Sequence, residues 1–186
     1  GVHQFTDRTM EEFNTIIKEM ILKEPKGFIL DLRSNGGGYL DIAVDMLSEF
    51  IGGKKEAVLI ERRAPKPHEK IYLGDSPSLP DIPLAVLVNK ASASASEIVA
   101  GAIQDYKRGI IIGETTFGKG SVQEVETLPD KSSFRITIAL WLTQENRSID
   151  KVGITPDIQI PLTEKDLEKG LDPQLEEALK YLKNLK

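Results

Sequence analysis

The stretch that decides the fold is PLAVLVNKASASASEIVAGAIQDYKRGIIIG, residues 83 to 113. It opens with an apolar run of strand length and crosses a loop of alanines and serines. It continues as a helix-like segment of small and apolar residues and ends in a second apolar run. Short apolar runs separated by one helix length read as strands buried on both faces of a parallel sheet. Working outward, GFILDL (27–32) adds another such strand, and YLDIAVDMLSEFI (39–51) another helix, with Leu40, Ala43, Val44, Leu47 and Ile51 inward. TMEEFNTIIKEMILK (9–23) precedes them, with Met10, Phe13, Ile16, Ile17, Met20 and Ile21 on one face and Thr9 and Glu12 spaced for a capping box. EAVLIER (56–62) reads as a strand. The alternation predicts an α/β (mixed) fold, mainly a parallel β-sheet flanked by helices.

Three segments fall outside that alternation. Residues 63–83 hold five prolines and few apolar side chains, the composition of an exposed excursion. After Gly120 the period becomes two: SVQEVETL, a turn at Pro129-Asp130, and SSFRITIALWL read as an additional β-hairpin with Phe134, Ile136, Ile138, Leu140 and Leu142 on one face. TEKDLEKGLDPQLEEALKYLKNLK (163–186) is charged and helical, with Leu175, Ala178, Leu179 and Leu182 as its stripe. The expectation is one core domain over 1–186, with a C-terminal helical extension from about 163.

At 186 residues and 40% hydrophobic composition, the chain suffices for one sizeable core. A net charge of −5 without a recurring basic cluster argues against a nucleic-acid partner. No apolar run approaches the ~20 residues of a membrane span. Cysteine is absent, which excludes a disulfide framework, a thiolate metal site and a cysteine nucleophile. The opening GVHQF has neither an initiator Met nor a basic-then-apolar leader, as expected of a fragment whose signal peptide lies elsewhere.

Three constellations carry chemistry. In the first, Ser92, Ser94 and Ser96 stand where a strand gives way to a helix, at the sheet edge where open α/β folds place ligands. The first N–H groups of a helix are unpaired and favour an anion. The simpler role for such serines is helix capping, and Ser96 beside Glu97 suits it. A serine nucleophile needs a proton acceptor. The two histidines, His3 near the start and His68 in the proline-rich excursion, both read as surface residues. The remaining base is a lysine, and GETTFGKGSVQ (113–123) holds Lys119 between Gly118 and Gly120. Such a lysine acts only when neutral, which requires burial against apolar walls. The same letters fit GxxxxGK of a phosphate loop, but Gly120 stands where magnesium needs Ser or Thr, and a β pattern follows instead of a helix. The third constellation, DLRSNGGGYLD (31–41), frees a backbone to approach a ligand and aim an N–H at an oxyanion.

LDLRSNGGG, VNKASASASEIVAGAIQD, GETTFGKGSVQ and GITPDI, in that order, resemble the carboxy-terminal processing peptidases, also called tail-specific proteases. The resemblance runs from about Phe5 to Leu182. It implies a ClpP/crotonase-like core and a serine endopeptidase that cleaves polypeptides near their C-termini. It further implies Ser94 as nucleophile, Lys119 as general base and Gln123 as the residue orienting that lysine. Ala95 and Gly37, with Gly36 as the near alternative, supply the oxyanion N–H groups. No cofactor or metal is implied. The implied partners are polypeptide substrates and a PDZ domain of the full-length chain or a regulatory partner; a homo-oligomer is compatible, and the implied location is extracytoplasmic. Two departures stand out. No PDZ domain is present, so the core is expected to be folded but weakly active. WLTQENR (141–147) replaces the family's Y-x-T-P-x-G-R, losing a proline and a glycine. The rival readings are a catalytically inactive peptide-binding version of the same fold and, third, a P-loop-like nucleotide binder.

Overall fold

A computed structural model describes residues 1–62, 68–75, 77, 79 and 82–185. Its parallel sheet has the order β1-β4-β5-β8, from β1 (Phe28–Asp31), β4 (Leu84–Val88), β5 (Ile110–Gly113) and β8 (Ile158–Gln159). The register sets Phe28 beside Leu84 and Ala85 beside Ile110. All five residues of β4 are buried, as an interior strand covered on both faces requires. On one face lie α1 (Thr9–Ile21), α2 (Leu40–Phe50) and α3 (Ala95–Asp105); edge-on stacking of Phe13, Phe28 and Phe50, with ring centroids 5.6–6.4 Å apart, joins α1 and α2 to β1. On the other face Ala178 of α5 (Pro173–Asn184) packs on Ala85, Leu87 and Ile112.

The second sheet is antiparallel, in the order β3-β2-β7-β6, from β2 (Glu56–Arg62), β3 (Glu69–Tyr72), β6 (Ser121–Thr127) and β7 (Ser133–Leu142). It has as many strands as the first. EAVLIER therefore leaves the parallel sheet and pairs with the far end of the hairpin, Ile60 opposite Trp141. The proline-rich excursion carries strand β3 and buries Leu73 and Leu79; 63–67, 76, 78, 80 and 81 lie outside the described residues.

Several local expectations are corrected. The face of β7 turned to the core carries Ala139 and Trp141, whereas Phe134 and Ile136 are 42% and 45% exposed. The apolar stripe at period two therefore lies on the outer face of the sheet. The Thr9–Glu12 capping box does not form: Arg8 is the N-cap, and the Thr9 hydroxyl donates to Gln4 O and accepts from Thr6 N. Phe13 and Ile17 carry the buried face of α1, while Ile16 and Ile21 stay exposed. In α2, Met46 and Phe50 are buried alongside Ala43, Val44 and Leu47. The C-terminal segment divides into α4 (Glu164–Glu168) and α5, because Asp172 caps α5 and Pro173 stands in its first turn. Leu175 and Leu179 are exposed, and the contact with the sheet is made by Ala178 and Leu182.

Candidate active site

Three neighbouring parallel strands end at the same sheet edge, and each delivers one of the three motif loops. The glycine-rich loop follows β1, the serine loop follows β4, and the lysine loop follows β5. The loops are bonded to each other. Ser92 Oγ donates to Leu32 O at 2.8 Å, and Ser96 Oγ donates to Asn35 O at 2.9 Å. Ala93 N also donates to Asn35 O, and Ser34 N to Asn89 Oδ1. Both flanking serines are fully buried. They join the serine loop to the glycine loop, so Ser96 is not the helix cap.

The N-cap of α3 is Ser94, with φ 57° and ψ −117°. A non-glycine residue held there stores about 1–3 kcal/mol and persists only where its surroundings over-determine it. The surroundings are visible. Ser94 N donates at 2.9 Å to Glu97 Oε2, the S-x-x-E pairing of a helix start. Ala95, the first residue of α3, lies at the helix entrance where N–H groups lack intrahelical partners.

Glu97 does more than cap. It is fully buried, and its two oxygens accept four bonds. Oε2 takes Ser94 N and, at 2.8 Å, Lys119 N; Oε1 takes Thr116 Oγ1 at 2.5 Å and Gly118 N at 2.6 Å. One acceptor-only carboxylate thus ties the backbone of the serine turn to the backbone of the lysine loop. The Ser94–Glu97 spacing was the sequence signal for this residue. The bonds across to residues 116–119 had none, since they join residues 19 to 22 positions apart.

The lysine loop is held on its other side by residues 151–154. Lys151 N donates to Gly118 O, and Ile154 N to Thr116 Oγ1 at 2.7 Å. Gly118 has φ 87°, and a Cβ there would meet Val152 N at 2.9 Å. Tight packing, not looseness, therefore explains the glycines flanking Lys119. The Lys119 side chain is exposed, and among the described residues no hydrogen bond joins it to Ser94 or Gln123. The amides of Gly118 and Lys119 that a phosphate would need are bonded to Glu97, and Gly120 leads into strand β6; a nucleotide loop has neither feature.

The glycine loop departs from expectation at one atom. Gly37 N donates at 2.9 Å to Asn35 Oδ1 inside the protein, so it is not free to serve an oxyanion. Gly37 does supply close approach. With φ 103°, a Cβ would fall 2.8 Å from both Ser94 Cβ and Ala93 O. Gly38, not Gly36 or Gly37, lines the pocket with Ser94.

That pocket has a volume of about 390 Å³. Ser94, Ala95, Lys119 and Gln123 line it, among walls formed by Leu40, Ile98, Val122, Val125 and Trp141. Neither histidine does; both are exposed. The WLTQENR departure is also accommodated. Asn146 takes φ 57° at the glycine position of the family pattern, a conformation asparagine tolerates, and Arg147 pairs with Asp105.

The fold is an α/β core with a pocket at the carboxyl edge of its parallel sheet. The chain belongs to peptidase family S41, whose model matches residues 1–160. It is 42% identical over 185 residues to a carboxy-terminal-processing protease of Bartonella bacilliformis, covering 94% of this chain and 41% of the relative. It is 34% identical over 180 residues to the carboxy-terminal processing protease CtpB of Bacillus subtilis, covering 97% and 37%. Among solved structures, the photosystem II D1 C-terminal processing protease superposes with a TM-score of 0.79 at 34% identity, covering 90% of this chain and 43% of that one. The chain thus spans about two fifths of the relatives it matches. Among the described residues, no helix is long and apolar enough to cross a membrane.

Proposed function

We propose that this chain is the catalytic core of a serine endopeptidase that cleaves polypeptides near their C-termini through a Ser94–Lys119 dyad. The observation that carries the reading is the shared pocket, with a hydroxyl at a strained helix entrance and an amine from the facing loop, their backbones tied by one buried carboxylate. Ser94 Oγ attacks the scissile carbonyl carbon while Lys119 Nζ accepts its proton. The carbonyl oxygen becomes the oxyanion, stabilised by the N–H groups of Ala95 and Gly38, the second donor moving from Gly37 to its neighbour. Collapse expels the amine, which takes the proton from Lys119. Water, giving its proton to the now neutral Lys119 Nζ, then attacks the acyl-enzyme, and Lys119 returns that proton to Ser94 Oγ as the acid leaves.

Lys119 must first turn inward and lose water, which the apolar walls allow once a substrate fills the pocket. In that closed state Gln123 orients it. Family membership further leads us to infer that the chain works outside the cytoplasm and alongside a PDZ domain or regulatory partner that completes closure. The exposed Lys119 and the missing Ser94–Lys119 bond favour a second reading, a peptide-binding module of the same fold that does not turn over. Intact-mass analysis after treatment with a serine-reactive phosphonate or β-lactone decides between them. One adduct in the native chain and none in Ser94→Ala supports the peptidase. No adduct in the native chain, with peptide binding retained, supports the binding module.

A further inference from the structure

The chain carries a net charge of −5, yet among the described residues the charged side chains lining this pocket are Lys119 and Arg135. Among those residues no carboxylate lines it. Lys119 has to be neutral when it acts as a base, so Arg135 is the charge that persists, because a guanidinium does not deprotonate near neutral pH. Its position is set by the hairpin, where it stands on β7 opposite Val125 of β6.

Arg135 is also alone. The other arginines whose side chains are described each have a partner. Arg8 pairs with Glu12, Arg33 with Asp31 and Asp172, and Arg147 with Asp105. Arg108 donates to the carbonyls of Phe50 and Ile82. Arg135 has no ion pair and no side-chain hydrogen bond among the described residues. Its planar fork of donors matches a carboxylate in two-point geometry, and at a pocket rim with apolar walls such a contact is stronger than in open water.

We propose that Arg135 is a specificity-determining residue that binds a carboxylate of the substrate within a residue or two of the bond cleaved at Ser94. The reach follows from size, since a pocket of about 390 Å³ holds only a few residues of extended chain at ~3.3 Å each. The preferred substrate has an apolar side chain against Leu40, Ile98 and Trp141, and an anionic group close by. An acidic side chain and the free terminal carboxylate of a polypeptide supply the same chemistry. The inference rests on the peptidase reading for its consequence, but its binding test does not depend on turnover.

The test uses three matched fluorogenic peptides with one apolar core. One has Glu within two residues of the cleaved bond and an amidated end, one has Gln there and an amidated end, and one has Gln with a free carboxylate at that distance. kcat/KM is measured for the native chain, Arg135→Gln and Arg135→Lys, and affinity by fluorescence anisotropy in a Ser94→Ala background. The native chain is expected to favour one of the two anionic peptides by about tenfold, the size of one charge-assisted hydrogen bond. Which peptide it favours identifies the source of the carboxylate. Arg135→Gln should bring that ratio to about one, and Arg135→Lys should keep part of it. Equal affinity for all three peptides in the Ser94→Ala chain overturns the proposal, as does a preference that survives Arg135→Gln. If nothing is cleaved but Ser94→Ala binds anionic peptides through Arg135, the peptidase reading fails and this inference stands.

Discussion

Replacing Glu97 tests whether the site depends on a buried carboxylate that neither attacks nor takes a proton. In Glu97→Gln the side chain keeps its shape, but one oxygen becomes an NH₂ donor. That donor must face one of two pairs: Ser94 N and Lys119 N, or Thr116 Oγ1 and Gly118 N. The cheaper choice turns it toward Thr116, whose hydroxyl can accept, and leaves Gly118 N unpaired. One orphaned buried donor costs about 1–3 kcal/mol, and the weaker neutral bonds to Ser94 and Lys119 add to it, so the loss of stability should be about 2–4 kcal/mol. Glu97→Ala strands all four donors and should cost more, short of simple addition because water can enter. Catalysis should suffer separately. Ser94 holds φ 57° partly through this bond, and a displacement of about 1 Å between dyad members costs about 10²-fold in rate. The assay is urea unfolding followed by circular dichroism, together with the rate of phosphonate labelling at Ser94 under fully folded conditions. A Glu97→Gln chain that unfolds at the native urea midpoint and labels Ser94 at the native rate refutes the clamp.

Four further outcomes follow from the geometry. Ser94→Ala should abolish phosphonate labelling and peptide cleavage with an unchanged far-ultraviolet spectrum; loss of activity in Ser92→Ala but not in Ser94→Ala would reverse the assignment. Ser92→Ala should instead lower stability by about 1–3 kcal/mol, because its buried hydroxyl donates to Leu32 O and accepts from Asn89 N, a loss read from thermal melts. Lys119→Arg should be as inactive as Lys119→Ala, since arginine cannot become the neutral base; substantial peptidase activity in Lys119→Arg would make the lysine an electrostatic stabiliser instead. For Asp31, burial pushes the carboxyl up, but the side-chain and backbone bonds from Arg33 and its charge outweigh that and hold it below the ordinary value near 3.8. A carboxyl lowered by folding stabilises the native state above its unfolded value and loses that contribution as pH falls through the folded one. Urea midpoints measured below about pH 4 should therefore fall less steeply in Asp31→Asn than in the native chain.

How much of this was legible in the sequence depended on the range of the interaction. The parallel strands were readable because GFILDL, PLAVLV and RGIIIG each announce burial on both faces within a few residues. The hairpin was readable too, but not its orientation. Phe134, Ile136 and Ile138 form the stronger apolar alternation, yet the core took Ala139 and Trp141, on the stretch of β7 that pairs with β2. Hydropathy of one strand cannot report its partner. At the site, Ser94 and Lys119 were visible as letters, and Glu97 was visible only as the neighbour of Ser96, the candidate cap. Its three bonds to the lysine loop depend on two loops arriving at one sheet edge from neighbouring strands.

The same distinction bears on why Lys119 makes no bond to Ser94. In sequence alone, the glycines at 36–38, 118 and 120 read as a freer backbone. The backbone says otherwise. Residues 116–119 are held by Glu97 on one side and by 151–154 on the other, and Gly37 is packed against Ser94 so closely that no side chain fits. What remains free is the Lys119 side chain, four carbons long and exposed over a pocket with apolar walls. Under the proposed mechanism, bringing it to Ser94 within their shared pocket is a matter of rotamer change and loss of water, a reorganisation of side-chain entropy and solvation. Whatever fills or covers the pocket therefore supplies the missing term. A peptide with an apolar side chain against Trp141 and Ile98 displaces that water itself. On this account a good substrate raises the activity of this chain more than any stabilisation of its loops, and rates should rise with the size of that side chain until the pocket is full.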